Sequence, residues 1–253
     1  MPCASLSPIE SPPLFNQFRK PEDRYARRMA RIARWDREIE GPFDRFMTWS
    51  NMLFVDHGIL RLAYLNAHRV TPMLWRAAQP APGDIAWFAR AGVKTVVNLR
   101  GGREHGSWPL EREACRDHGV VLTDFVLRSR GAPEREAILA AKAFFDGLQG
   151  PVLVHCKSGA DRAGFFCVLW QLLQEARPLD EAMRGLSSRY GHFRFAKTGI
   201  LDAFFEAYGR EGLPKGQPFL DWVANTYDPE KLEREFKPHA FSSLIADRLF
   251  RRE

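Results

Sequence analysis

At 253 residues and 45% hydrophobic content the chain is long enough to bury a full core, and it fits one catalytic domain with extensions better than two domains. Its 37 basic against 31 acidic side chains leave a formal charge of +6, spread mostly as scattered arginine, so an anionic partner fits the balance and no nucleic-acid partner is expected. Cys3, Cys115, Cys156 and Cys167 show no paired spacing and the seven histidines no ligand pattern, which argues against a disulfide scaffold, a metal or a cofactor, and makes a reduced compartment the simplest setting.

Residues 1–20 are proline-rich and aperiodic, so a flexible leader is expected there, without the continuous apolar run of a signal peptide. A helix is predicted from Pro21, with Glu22 and Asp23 suited to its first turn. Tyr25, Met29, Ile32 and Ile39 fall at helical spacing, while Arg24, Arg27, Arg28, Arg31, Arg34 and Arg37 crowd the rest. Two readings stay open for this basic amphipathic helix: the stripe packs on the domain and the arginines are solvated, or the helix lies on an anionic membrane surface. A second apolar helix, around Phe43, Phe46, Met47, Leu53 and Phe54, adds weight to the membrane reading. The most apolar stretch, Met47 to Leu65, is broken by Asp56, His57 and Arg61, so no membrane-spanning helix is expected. The chain therefore reads as cytoplasmic, either soluble or peripheral at the inner membrane through residues 21–65.

From residue 71 the signals alternate. Strands are predicted at Met73–Ala77, Lys94–Leu99, Val120–Leu127 and Pro151–His155, and helices at Asp84–Ala91, Leu110–His118, Pro133–Leu148, Arg162–Glu175, Leu179–Arg189 and Thr198–Tyr208. Such alternation predicts an α/β domain over 71–210, a central mixed, mainly parallel sheet flanked by helices. A leader (1–20) and a helical arm (21–70) precede it, and a C-terminal extension (211–253) with short helical patterns follows.

The segment Val152-Leu-Val-His155-Cys156-Lys157-Ser158-Gly159-Ala160-Asp161-Arg162-Ala163-Gly164 places a cysteine and an arginine at the two ends of one loop between a strand and an apolar helical pattern. Inward-facing amides and the helix N-terminus of such a turn make a site for a phosphate-sized anion, and Arg162 can clamp two of its oxygens. A thiol in that field, ordinarily near pKa ~8.5, ionises more readily. Held against a bound phosphate, it is a nucleophile aimed at phosphorus.

At His155, Cys156, Gly159 and Arg162 these residues resemble the His-Cys-x5-Arg signature of the cysteine-based protein tyrosine phosphatase superfamily, in its atypical, bacterial dual-specificity branch. Trp75-Arg76-Ala77-Ala78-Gln79-Pro80 and Val96-Val97-Asn98-Leu99-Arg100 are similar to segments of the same branch, in the same order. The resemblance spans about residues 72–175. It implies a dual-specificity phosphatase-like fold and a phosphocysteine intermediate on Cys156. It also implies phosphoryl oxygens held by Arg162 and the amides of Lys157, Ser158, Gly159 and Ala160, with His155 orienting the loop. Where the family carries Ser or Thr after the arginine, this chain has Ala163, which removes a hydrogen bond to the thiolate and slows the second step.

The leaving group needs an acid. The family's aspartate lies on a loop upstream, and Asp124, 32 residues before Cys156, stands at a similar separation; the loop Arg128–Pro133 that follows has no carboxylate before Glu134. Asp161 is the alternative, since Cys-x4-Asp-Arg is similar to the pattern of bacterial lipid-directed phosphatases and of the myotubularin group. A carboxylate there is either protonated and ready to donate, or turned outward as a helix cap. Arg76 and Arg100 are expected on the pocket rim beside Lys157, or as strand-end ion pairs. Gly101–Gly106 is expected as a flexible loop beside the site, and His192 as a structural residue.

These readings point to a metal-free phosphomonoester phosphatase. A phosphorylated lipid or lipopolysaccharide headgroup at a membrane surface is the favoured substrate, a phosphoprotein the next, an inositol phosphate the third. A phosphate-binding pseudophosphatase is the rival from another class, and a rhodanese-type sulfurtransferase lacks the five-residue spacing to arginine.

Overall fold

The structure, a computed structural model, describes residues 21–236; the leader at 1–20 and residues 237–253 lie outside the described residues. Short runs rich in β-branched residues form the centre of a five-stranded sheet: β1 (His68–Thr71), β2 (Leu74–Ala78), β3 (Thr95–Asn98), β4 (Val121–Asp124) and β5 (Val152–Cys156). The strand order is β1-β2-β5-β3-β4, with β1 antiparallel to β2 and the other four strands parallel. β3 and β5 are buried along their whole length, as expected of parallel strands covered on both faces. The mixed, mainly parallel α/β architecture expected from the sequence is the one observed.

Before the sheet run α1 (Pro21–Trp35), α2 (Gly41–Ser50), which continues into a π-helical turn at Asn51–Val55, and α3 (Gly58–Ala63). Helices α4 (Pro82–Arg90) and α5 (Ser107–Asp117) cover one face, where Ile85, Phe88, Val96, Cys115 and Leu153 pack together. The other face is covered by α6 (Arg135–Asp146), α7 (Asp161–Leu173) and α9 (Ile200–Glu211), with α8 (Leu179–Ala182) between the last two. All ten residues from Asp161 to Trp170 are buried, so α7 is an internal helix, apolar on every side after its charged first turn. The final helices, α10 (Phe219–Asn225) and α11 (Pro229–Glu235), feed Phe219, Trp222, Tyr227 and Leu232 into that same core against Phe204 and Phe205.

Three local departures have physical causes. β1 falls within the stretch read as arm; its four residues are too few to show a period and are a strand because β2 supplies the ladder. β4 stops at Asp124 because its only partner, β3, stops at Asn98, although Phe125 and Leu127 still donate to Asn98 and Leu99 carbonyls at 3.1 and 3.3 Å. The helix expected over Leu179–Arg189 dissolves after Ala182 into 3₁₀ turns at Met183–Gly185 and Ser188–Tyr190. Gly185 is a poor helix residue, and its carbonyl accepts from Arg76 at 2.6 Å instead of closing a further turn.

The arm docks through charge more than through its stripe. Tyr25 and Met29 are exposed while Trp35 is buried. Arg28 and Arg31 pair with Glu104, and Arg34 and Arg37 with Asp44. The expected flexible loop Gly101–Gly106 is therefore an anchoring point: Arg103 also pairs with Asp36, and Gly106 donates to Asn51 at 2.8 Å. No described helix is long and apolar enough to cross a membrane.

Candidate active site

The parallel strands all end at one edge, and β5 delivers Cys156 there, 2% exposed, at the start of the loop that turns into α7. Gly159 adopts φ +71°, and a Cβ there would sit 2.6 Å from backbone atoms of Ala77 and Ala78, so the loop lies directly on the end of β2.

Three successive loop carbonyls are held from the same structural support. Asn66 Nδ2 donates to Ser158 O at 2.9 Å, Arg76 Nε and Nη2 donate to Gly159 O at 3.2 and 2.7 Å, and Arg76 Nη2 donates to Ala160 O at 2.8 Å. In a trans peptide the N–H points opposite to the carbonyl, so pinning these oxygens turns the amides of Gly159, Ala160 and Asp161 the other way. Added to the N-terminus of α7, they form a cradle for an anion, with Arg162 one residue into the helix and 8% exposed.

Arg76 is thus not on the rim, as the sequence suggested. It is fully buried, with Cζ 4.0 Å from the Tyr190 ring centroid, because β2 places it beneath the loop and a planar guanidinium can serve several carbonyls at once. Gly164 allows this approach: a Cβ would lie 2.8 Å from Gly185 O and 3.1 Å from Arg76 Nη2.

The expected rim position of Arg100 needs the same correction. Its side chain is 8% exposed and makes paired contacts to Asp56, at 2.9 and 2.8 Å, with a further bond to Gln79 Oε1 at 3.0 Å. Burial opposes the charge on Asp56, but the bonds and charges of Arg100 and Arg61 and the Ser107 hydroxyl hold its carboxyl far below the usual carboxylate range. Gln79 in turn donates to Glu111 Oε2 at 2.8 Å, and Glu111 Oε1 lies 2.7 Å from His155 Nε2, close contact at an angle short of a hydrogen bond. A buried polar chain therefore runs from the residue before Cys156 to the arm, where sequence spacing carries no sign of it. Lys157 and Ser158 are half-buried at the cradle's mouth.

Of the carboxylates considered as acids, Asp161 is buried and its Oδ1 lies 2.7 Å from His192 Nδ1, while His192 Nε2 lies 2.6 Å from Asp202 Oδ2. Asp124 ends β4 at the same sheet edge as Cys156, in register through Asn98 with His155, about 10 Å away at two strand spacings. Its Oδ2 takes a 3.3 Å contact from Arg103, and its Oδ1 is buried without a hydrogen-bond partner. Glu134 is exposed and paired with Arg128. Cys167 shares the core cluster of Cys156, and burial pushes its thiol up to about 11, whereas Cys115 lies in the core on the other face of the sheet. Among the described residues, no group of three or more His, Cys, Asp or Glu side chains could hold a metal ion.

Residues 63–198 match the family described as "DSP-PTPase phosphatase fused to NAD+ Kinase". Among curated proteins, the chain is similar to the dual specificity protein phosphatase TpbA of Pseudomonas aeruginosa, 30% identical over 132 residues, 48% of this chain and 55% of that protein. It is also similar to the inositol diphosphatase DSP2 of Oryza sativa, 26% identical over 164 residues, 63% and 78% of the two chains. The chain spans about half the length of the Pseudomonas relatives it matches. A crystal structure of P. aeruginosa TpbA aligns at 21% identity and a TM-score of 0.48, covering 57% of this chain and 86% of that one.

Proposed function

The chain belongs to the family of DSP-PTPase phosphatases described as fused to NAD+ kinase, and from that premise we propose that it hydrolyses phosphomonoesters through a phosphocysteine on Cys156. The observation that carries the reading is the loop 157–161, whose pinned carbonyls turn three amides toward a space bounded by Cys156 and Arg162. In the first step the thiolate forms an S–P bond as the P–O bond to the leaving group breaks, and the departing oxygen takes a proton. In the second, water attacks phosphorus, releasing inorganic phosphate and the thiolate. Arg162 and the loop amides carry the equatorial oxygens in both steps. His155, in contact with Glu111, orients the loop's entry.

Asp124 serves as the proton donor in this proposal. Its position at the sheet edge and its unpartnered Oδ1 support that role, whereas Asp161 is occupied by His192. Residues 71–210 as the catalytic unit and 21–70 as an arm belong to the same proposal.

For the substrate we favour a phosphorylated lipid or lipopolysaccharide headgroup at a membrane surface. Phe43, Phe46, Phe54, Val55, Ile59, Leu60, Leu62 and Tyr64 are each more than half exposed within 22 residues, a concentration of apolar surface that calls for a partner. This stretch leads to the cradle, since Asn66, two residues past it, reaches Ser158. A phosphoprotein is the second reading, favoured by the relative named as a protein phosphatase.

The test is phosphate release from anionic vesicles carrying phosphorylated lipids, from lipid A, from inositol phosphates and from phosphopeptides, comparing the native chain with Phe46→Ser/Phe54→Ser/Leu60→Ser. Lipid-selective release that drops with the variant supports the membrane reading; phosphopeptide preference indifferent to it makes this a protein phosphatase, and no release from any substrate overturns the enzyme. Ala163→Ser is expected to raise the steady-state rate about tenfold relative to the initial burst, because a hydroxyl beside the departing thiolate adds a hydrogen bond to a charge worth about 1.5–3 kcal/mol. Unchanged burst amplitude and turnover would refute this.

A further inference from the structure

His192 is buried, 2% exposed, and its two ring nitrogens face carboxylate oxygens on different helices: Asp161 of α7 at 2.7 Å and Asp202 of α9 at 2.6 Å. Each carboxylate is an acceptor, so the ring satisfies both only by donating from both nitrogens, which is the imidazolium. Asp161 is the first residue of α7 and immediately precedes Arg162. It therefore puts a negative charge beside a cradle whose task is to hold a dianion, an arrangement that repels the ligand unless something neutralises that charge.

We infer that His192, backed by Asp202, is a positioning residue of the phosphate site: as an imidazolium it holds the Asp161 carboxylate turned away from the cradle and offsets its charge there, so that the N-terminus of α7 presents its amides and Arg162 to the phosphoryl group. The inference rests on the proposed phosphatase reading and assigns Asp161 the task of fastening the loop, not of donating a proton. It also explains why α9, remote in sequence, is tied to the nucleophile loop. Burial alone would lower the ring's pKa, but the bonds to Asp161 and Asp202 outweigh it and lift His192 to about 9. The group is thus charged through neutral pH, and its contribution is present below its ordinary value and lost as pH rises through 9.

The experiment measures the affinity of inorganic phosphate for the full chain by calorimetry in a Cys156→Ser background, which removes the thiol's own titration. His192→Gln is expected to weaken phosphate binding about tenfold or more. Adding Asp161→Asn to it should restore most of the loss, because the repelling charge is then gone. With His192 intact, affinity should fall as pH passes through about 9. Should His192→Gln not fold, that pH limb decides, and a flat profile there overturns the inference. Phosphate affinity unmoved by His192→Gln likewise overturns it. With Cys156 present, Asp161→Asn should change the rates on aryl and alkyl phosphates by the same factor; loss confined to the alkyl ester makes Asp161 the acid and overturns the inference. If the protein with an intact His192 does not bind phosphate at any pH, the phosphatase reading fails first and this inference with it.

Discussion

Replacing Cys156 by serine is expected to reduce phosphomonoester hydrolysis by more than about 10⁴-fold while leaving inorganic phosphate bound. The serine hydroxyl has nearly the same volume as the thiol, so the 2% exposed site keeps its packing. The loop amides, their carbonyl anchors on Asn66 and Arg76, and Arg162 are untouched. A hydroxyl does not ionise near neutral pH, and the S–P bond of the proposed intermediate cannot form. The check is paired: phosphate release from an aryl phosphate, and phosphate affinity by calorimetry. A native chain that turns over an aryl phosphate and a variant that does not would exclude the phosphate-binding pseudophosphatase. Equal rates for the two would remove Cys156 from the chemistry altogether.

Arg76→Met is expected to cost about 3–5 kcal/mol of stability and most of the phosphate affinity. The fully buried guanidinium serves the carbonyls of Gly159, Ala160 and Gly185, with bonds of 2.6–3.2 Å. A methionine fills much of the volume but leaves the oxygens of Gly159 and Gly185 without donors in a space closed to water, while Ala160 O keeps the Gly164 amide at 3.0 Å. Each such orphan costs about 1–3 kcal/mol. For a chain of this size, a loss of that order lowers the melting temperature by about 10 °C. The functional loss follows from the same bonds: once the carbonyls are free to rotate, the amides opposite them no longer converge on one anion. Arg76→Lys should recover only part of either loss, since a single ammonium cannot span the same fork of acceptors. A Met variant that keeps both its melting temperature and its phosphate affinity would show that the loop holds its shape without this support.

Much of this site is legible in a linear reading because it is local. His155, Cys156, Gly159 and Arg162 lie within eight residues, and the strand before them and the helix after them carry their own periodicity. The helices at 82–90, 107–117, 135–146 and 161–173 were each expected within a few residues of where they stand, since an apolar stripe facing a sheet leaves its mark at 3.6-residue spacing. β1 leaves no mark in the sequence because four residues show no period, and the helix expected over Leu179–Arg189 stops short because the Gly185 carbonyl accepts from Arg76, 109 residues away.

The charged residues divide along the same line. An arginine at a strand end has the same local pattern whether it faces solvent, a substrate or the back of a loop, so the sequence leaves Arg76 and Arg100 between a pocket rim and strand-end ion pairs; the fold commits Arg76 to loop carbonyls and Arg100 to a buried pair with Asp56. His192 likewise looked structural, and only the fold brings it between Asp161 and Asp202. The amino-acid sequence by itself determined the nucleophile, the arginine clamp and the helices and strands that carry them, because those depend on neighbours along the chain. The tertiary structure alone decided which buried charges hold the loop in shape, because a hydrogen bond is set by distance in space, and the partners here are 31 to 109 residues apart.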